Sequence, residues 1–126
     1  MLIMPTRGRP DNFARFVKAY KDTGAIDKVV VKLDLDDPTA LQYNQVGAPP
    51  HWEFIVSEPS KGCFAQNIIF QLYPNQEYYG IIADDLVPRT RNWDQILAAA
   101  CGSWGVSYGD DLLKRETLAT HPFIGG

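Results

Sequence analysis

The sequence predicts an α/β domain built on a largely parallel sheet. Short apolar, β-branched runs alternate with stretches of helical period, and several of the runs end in polar or acidic clusters. Gly and Pro punctuate the joints. The resulting order is β-α-β-loop-β-α-β-α-β, with no internal repeat or low-complexity segment.

The elements follow in chain order. "MLIM" (1–4) is an apolar run before a turn cluster. "PDNFARFVKAYKDTG" places Phe13, Phe16, Val17 and Tyr20 at i, i+3, i+4 and i+7, the stripe of an amphipathic helix. Pro10 suits its first position, Asp11 its positive end, and Gly24 its stop. "KVVVKLDLDD" (28–37) is a strand ending in acids, and residues 38–51, with three prolines and Gly47, read as a loop. "WEFIV" (52–56) reads as a third strand. "SKGCFAQNIIFQLYPN" puts Ala65, Ile68, Ile69 and Leu72 on one helical face, and Pro74 ends it. "YYGIIA" (78–83) is a fourth strand. In "NWDQILAAACG", Asn92 caps a helix, Trp93, Ile96, Leu97 and Ala100 face inward, and Gly102 stops it. "WGVSY" (104–108) suits a fifth strand, and the tail a helical turn and an extended piece.

Composition bounds the function. A chain of 126 residues suits one domain, residues 1–126, with a core that needs no staples. The net charge of −3 argues against a general nucleic-acid binder. No apolar run reaches the ~20 residues of a membrane span, and "MLIMPTRGRP" lacks the regions of a signal peptide. Cys63 and Cys101 have neither disulfide-framework nor metal-knuckle spacing, so both are expected as buried, reduced thiols in a cytoplasmic protein.

In open α/β sheets, ligands sit outside the carboxyl ends of the strands. Strand one ends in "PTRGRP", strand two in "DLDDP" and strand four in "ADDLVP", so parallel pairing brings these together on one rim. Asp84 and Asp85 would repel each other as bare neighbours, and one would take up a proton. A hard cation such as Mg²⁺ or Mn²⁺ removes that conflict; Mg²⁺ takes one or two carboxylates plus substrate phosphates. The alternative is a solvated turn, which Asp also favours. In "PTRGRPD", Gly8 admits close backbone approach, Arg7 and Arg9 suit phosphate or ribose oxygens, and the next helix presents its positive end. The same residues equally suit a plain strand-to-helix turn, and they match neither a Walker loop nor G-x-G-x-x-G. Asp36, or Asp34, is placed to accept a base N–H or ribose hydroxyl, whereas Asp37-Pro38 reads as a loop start. Lys61 can reach a phosphate from the start of the second helix, and Arg89 and Arg91 either close over a diphosphate or face solvent. Trp93 reads as core, and His51 and His121 as loop or surface residues.

Taken together, "LIMPTRGRPDNF", "VVVKLDLDDP", "YYGIIADDLVPRTRNWDQIL" and "WGVSYGDDLLKRETLATHPFIGG" resemble family 2 glycosyltransferases of the glycosyltransferase-A fold. The nearest branch is the phage-type and bacterial one carrying "DD" followed by "PRTxxWD". The resemblance covers nearly the whole chain. It implies a Rossmann-like three-layer α/β/α fold, minimal or truncated, and a nucleotide-diphospho-sugar donor of the UDP or GDP type. It also implies Mn²⁺ or Mg²⁺. By that mapping Asp85 meets the metal, Asp84 the metal, ribose or sugar, and Thr6, Arg7 and Arg9 the nucleoside and diphosphate. Asp36 or Asp34 would meet the base. Leu86 follows the Asp pair, so "ADDL" stands as a shortened D-x-D. Family members continue beyond "THPFIGG" into a part that supplies the acceptor site and base, which leaves Asp111 as the candidate base here, with a helix cap as its other role.

Three functions are therefore carried forward. The first is a glycosyltransferase domain, the second a non-catalytic nucleotide-sugar-binding module, and the third an α/β interaction domain that binds no nucleotide. The apolar terminal "LATHPFIGG" is expected to pack on a partner chain, giving a homo-oligomer.

Overall fold

The computed structural model describes residues 1–110 and 120–126. Six strands form one sheet in the order β3-β2-β1-β4-β6-β5. They are β1 (Leu2–Pro5), β2 (Val29–Asp34), β3 (Glu53–Ser57), β4 (Tyr78–Ile81), β5 (Val106–Ser107) and β6 (Phe123–Gly125). Strands β3, β2, β1 and β4 are parallel, with Leu2 beside both Val29 and Gly80. The expected parallel sheet is thus its main part. The far edge differs: β6 runs antiparallel to β4, and the two-residue β5 antiparallel to β6.

Among the described residues, four helices flank the sheet: α1 (Pro10–Asp22), α2 (Ala40–Gln45), α3 (Cys63–Leu72) and α4 (Trp93–Cys101). Side chains of a strand alternate between faces, and β1 shows it. Leu2 and Met4 join Phe13, Phe16, Val17 and Trp93 on the α1 and α4 side. Met1 and Ile3 join Val30 and Ile69 on the α3 side. All six residues of β2 are buried, as suits a strand with helices on both faces.

Pro10 opens α1 as expected, and Gly24 follows its end at φ +68°, a conformation that costs glycine little. Gly80 serves packing instead. A Cβ there would sit 2.5 Å from Leu2 Cδ2 and 2.9 Å from the Phe123 ring.

Several expectations are corrected. Residues 40–45, read as loop, form α2, whose Tyr43 is fully buried. Ile96 and Ala100 do not face inward on α4; its buried residues are Trp93, Asp94 and Cys101. Leu72 is exposed at the end of α3. Cys63 is also exposed, because it opens α3 on the solvent side, while Cys101 is buried. Phe123 enters this chain's own core, against Tyr78 and Trp93, so it cannot supply the expected partner contact. No helix among the described residues is long and apolar enough to cross a membrane.

Candidate functional site

The strand order places the site. From β1 the chain steps to β2 and β3 on one side, then returns to β4 on the other. The crevice between the carboxyl ends of β1 and β4 is the switch point of the sheet, where ligands bind in this architecture. Thr6 follows β1 and Asp84 follows β4, and they meet there: Thr6 Oγ1 donates to Asp84 Oδ2 at 2.5 Å.

Asp84 is 1% exposed. Its Oδ2 also faces Arg9 Nε at 3.2 Å, whereas its buried Oδ1 has no protein partner. Asp85 is exposed. The pair occupies a tight turn closed by the Leu86 N–H donating to the Ala83 carbonyl, which separates the two carboxylates. One is turned into the protein against a cation and a hydroxyl; the other keeps its water.

The loop between β1 and α1 is fastened at each residue. The Thr6 N–H donates to the Lys32 carbonyl, and the Gly8 N–H to Asp37 Oδ2 at 2.9 Å. The Arg9 N–H donates to the Tyr43 hydroxyl at 2.9 Å. Gly8 adopts φ +66° with open space where a Cβ would be, so the turn itself calls for glycine. Asp37, expected only to begin a loop, is buried and also accepts from the Thr39 N–H and hydroxyl.

A second cluster lies at the end of β2. Arg7 NH1 donates to Asp34 Oδ2 at 2.9 Å and to Asp36 Oδ1. Lys32, 1% exposed, donates to Asp34 Oδ1, to Ser60 Oγ at 2.8 Å and to the Glu58 carbonyl at 3.1 Å. Both oxygens of Asp34 are thereby engaged within the protein, which leaves Asp36 the more accessible acid. Its hydrogen bond from Arg7 holds the Asp36 carboxyl below the usual range. Burial alone would raise Asp34 and Asp37. The bonds from Lys32 and Arg7 outweigh it at the first, and those from Gly8 and Thr39 at the second, so both also lie low. Asp36 and Asp34 together push the Arg7 guanidinium upward.

Beside the rim is a cleft of about 690 Å³, lined among the described residues by Asp85, Arg89, Trp93, Leu97, Asp110 and His121 with their neighbours. His121, expected in a loop or at the surface, lies in the loop before β6 and is half-buried here. Lys61 is exposed next to Ser60, on the loop that Lys32 holds. Asp111 lies outside the described residues.

The structure thus joins Thr6, Arg9 and Asp84 in one cluster and Arg7, Asp34 and Asp36 in another, and sets Asp85 and Arg89 along the adjoining cleft. Sequence reasoning missed Lys32, Asp37 and Tyr43. Lys32 did carry a signal, an ionisable residue within "VVVKLD". Tyr43 carried none, since its helix lies between prolines and glycine.

Among the described residues, no group of three His, Cys, Asp or Glu side chains could hold a metal ion. What the rim offers a cation is the exposed Asp85 carboxylate and the unpartnered Oδ1 of Asp84. Two carboxylates suit Mg²⁺ or Mn²⁺ when phosphate oxygens complete the shell.

No protein-family profile and no curated protein matches the chain. Solved structures of similar fold include Rv0371c from Mycobacterium tuberculosis H37Rv in complex with manganese. It has a TM-score of 0.50 and 14% identity, over 78% of this chain and 59% of that one. A second structure of Rv0371c has a TM-score of 0.50 and 12% identity, over 78% and 60%. The chain therefore spans about three fifths of the length of these neighbours, and the likeness is one of fold.

Proposed function

We propose that this chain is a glycosyltransferase-A-type domain that binds a nucleotide-diphospho-sugar donor together with Mn²⁺ or Mg²⁺. One observation carries the reading: a buried carboxylate oxygen without a partner, Asp84 Oδ1, sits at the sheet's switch point beside the exposed Asp85. Leaving such an acceptor unpaired costs about 1–3 kcal/mol, which a ligand at this rim would recover. Arg9 pairs with Oδ2 of the same carboxylate and Arg7 stands on the same loop, paired with Asp34 and Asp36, so the rim suits an anionic ligand that carries its own phosphates.

The chain's residues then divide the work. Asp85 and Asp84 Oδ1 hold the cation, Arg9 and Arg7 face the diphosphate, and Asp36 is the acid left to meet the base or ribose. The cation, when bound, supplies neutralising charge to the diphosphate leaving group. Arg89 lies along the cleft on the Asp85 side, where the sugar and acceptor belong. The general base is proposed to be Asp111, the sequence's candidate, which lies outside the described residues. Rv0371c was crystallised with manganese, which makes Mn²⁺ the first ion to test.

Calorimetric titration with UDP, GDP, dTDP and CDP, with and without Mn²⁺, tests the reading. One nucleotide should bind only with metal, and Asp85→Ala should abolish that binding. Because Asp85 is exposed, the substitution should change stability by no more than about 0.5 kcal/mol. Binding that survives Asp85→Ala, or no binding at all, would sink the proposal. Hydrolysis of the matching sugar donor then separates a transferase from a binding module.

A further inference from the structure

We infer that the hydroxyl of Tyr43 is a positioning group that holds both donors to Asp84. Tyr43 reaches the rim only through its hydroxyl, which bonds to Thr6 and Arg9. It stands on α2, fully buried, with its ring against Phe13 at 5.2 Å. Phenylalanine would fill that space equally well, so core packing does not call for the hydroxyl.

Counting protons fixes the direction of each bond. Thr6 has one hydroxyl proton, and the short contact to Asp84 Oδ2 takes it, because a carboxylate can only accept. The 3.1 Å contact between Thr6 Oγ1 and the Tyr43 hydroxyl must then be donated by Tyr43. The Tyr43 oxygen in turn accepts the Arg9 N–H at 2.9 Å. One phenol therefore orients the Thr6 hydroxyl and pins the backbone that carries the Arg9 guanidinium. Those two groups are the partners of Asp84 Oδ2. With Oδ2 doubly held, the carboxylate is oriented and Oδ1 is left as the oxygen without a protein partner. A chain of such bonds also polarises its members in the same sense.

The clamp stands on geometry alone; its consequence for ligand capture rests on the donor-site reading, and two measurements separate them. The first uses the ligand-free protein. Tyr43→Phe should speed hydrogen exchange of the Arg9 amide by about tenfold, the factor for losing one hydrogen bond of ordinary strength. It should also shift the Asp84 carboxyl ¹³C resonance, while amides inside α1 keep their protection. Thr6→Ser, which keeps the hydroxyl, should leave the Asp84 resonance near its wild-type position, and Thr6→Val should move it.

The second measurement is Mn²⁺-dependent affinity for UDP and GDP. Tyr43→Phe and Thr6→Val should each weaken it by about tenfold, and Thr6→Ser should largely preserve it. An unchanged Arg9 exchange rate and Asp84 resonance in Tyr43→Phe would overturn the clamp. Changed resonances with unchanged nucleotide affinity would overturn its role in capture. A wild-type protein that binds none of UDP, GDP, dTDP and CDP removes the donor-site reading and the capture role, while the exchange and ¹³C measurements still decide the clamp.

Discussion

Asp94 offers the sharpest test of how the fold is fastened. It lies in the first turn of α4, fully buried, and its Oδ2 accepts the N–H groups of Ile26 and Asp27, each at 2.8 Å. The carboxylate thus ties the start of α4 to the segment leading into β2. Asp94→Ala removes both bonds and leaves two backbone donors without their acceptor. A hydrogen bond to a charged group contributes about 1.5–3 kcal/mol, and two bonds sharing one oxygen add less than fully. An acid in the first helical turn contributes about 0.3–1 kcal/mol more. The expected loss is about 3–5 kcal/mol, a large part of a total stability of about 5–15 kcal/mol. A domain of this length loses about 4 °C in Tm per kcal/mol, so Tm should fall by about 12–20 °C. Calorimetry, with urea unfolding followed through the three tryptophans, measures both quantities. Asp94→Asn keeps an oxygen for the two N–H groups and should lose about half as much. A loss under about 1 kcal/mol in the alanine variant would refute the reasoning. Equal losses in the two variants would assign the effect to charge instead of bonding geometry.

The remaining predictions concern packing, a buried ion pair and pH. Gly80→Ala drives a methyl into Leu2 and Phe123, and overpacking of this kind should cost about 1–3 kcal/mol by urea unfolding. Lys32→Met leaves buried Asp34 with Arg7 as its ion-pair partner and should cost about 3 kcal/mol, the lower end for breaking a buried pair. Adding Asp34→Leu should recover part of that loss, and a further drop would count against the pairing. Asp34, Asp36 and Asp37 all have native pKa values below the ordinary carboxylate value of about 3.9. Their stabilisation is therefore fully present above about pH 4 and is lost as pH falls through the lower native values, where the unfolded chain binds more protons. The urea midpoint should fall below about pH 4, and less steeply in Asp37→Asn; an identical slope in that variant would contradict the assignment.

What the sequence disclosed follows from which forces are local. The α1 stripe of Phe13, Phe16, Val17 and Tyr20 was legible because helical period writes it into neighbouring residues. The rim was legible for a similar reason, since parallel strands deliver all their carboxyl ends to one side. The inward face of α4 was not. Hydropathy selected Ile96 and Ala100, but the helix turns Asp94 inward to serve two distant N–H groups, and Ile96 is left exposed. Arg7 was legible as a rim cation, but its pairing with Asp34 and Asp36 depends on how the β1 and β2 ends are aligned. No local spacing records that. β5 falls within the strand expected at 104–108, and β6 matches the extended piece expected in the tail, but their antiparallel pairing was not legible for the same reason.

Two adjacent carboxylates at a strand end pose an electrostatic problem that the fold solves by dividing them. The turn at 83–86 sends Asp84 inward to Thr6 and Arg9 and leaves Asp85 in water. The remaining oddity is Asp84 Oδ1, a buried acceptor with no partner. It accompanies Oδ2, which receives both donors, so an apolar residue would avoid its desolvation cost only by stranding Thr6 and Arg9. Asp94 Oδ1 is buried and unpartnered in the same way, so what distinguishes Asp84 is its place at the switch point with the exposed Asp85 next to it. On the reading proposed above, a cation carrying phosphates would engage the two carboxylates together, whereas a hydroxyl or amide ligand would leave Asp85 without a role.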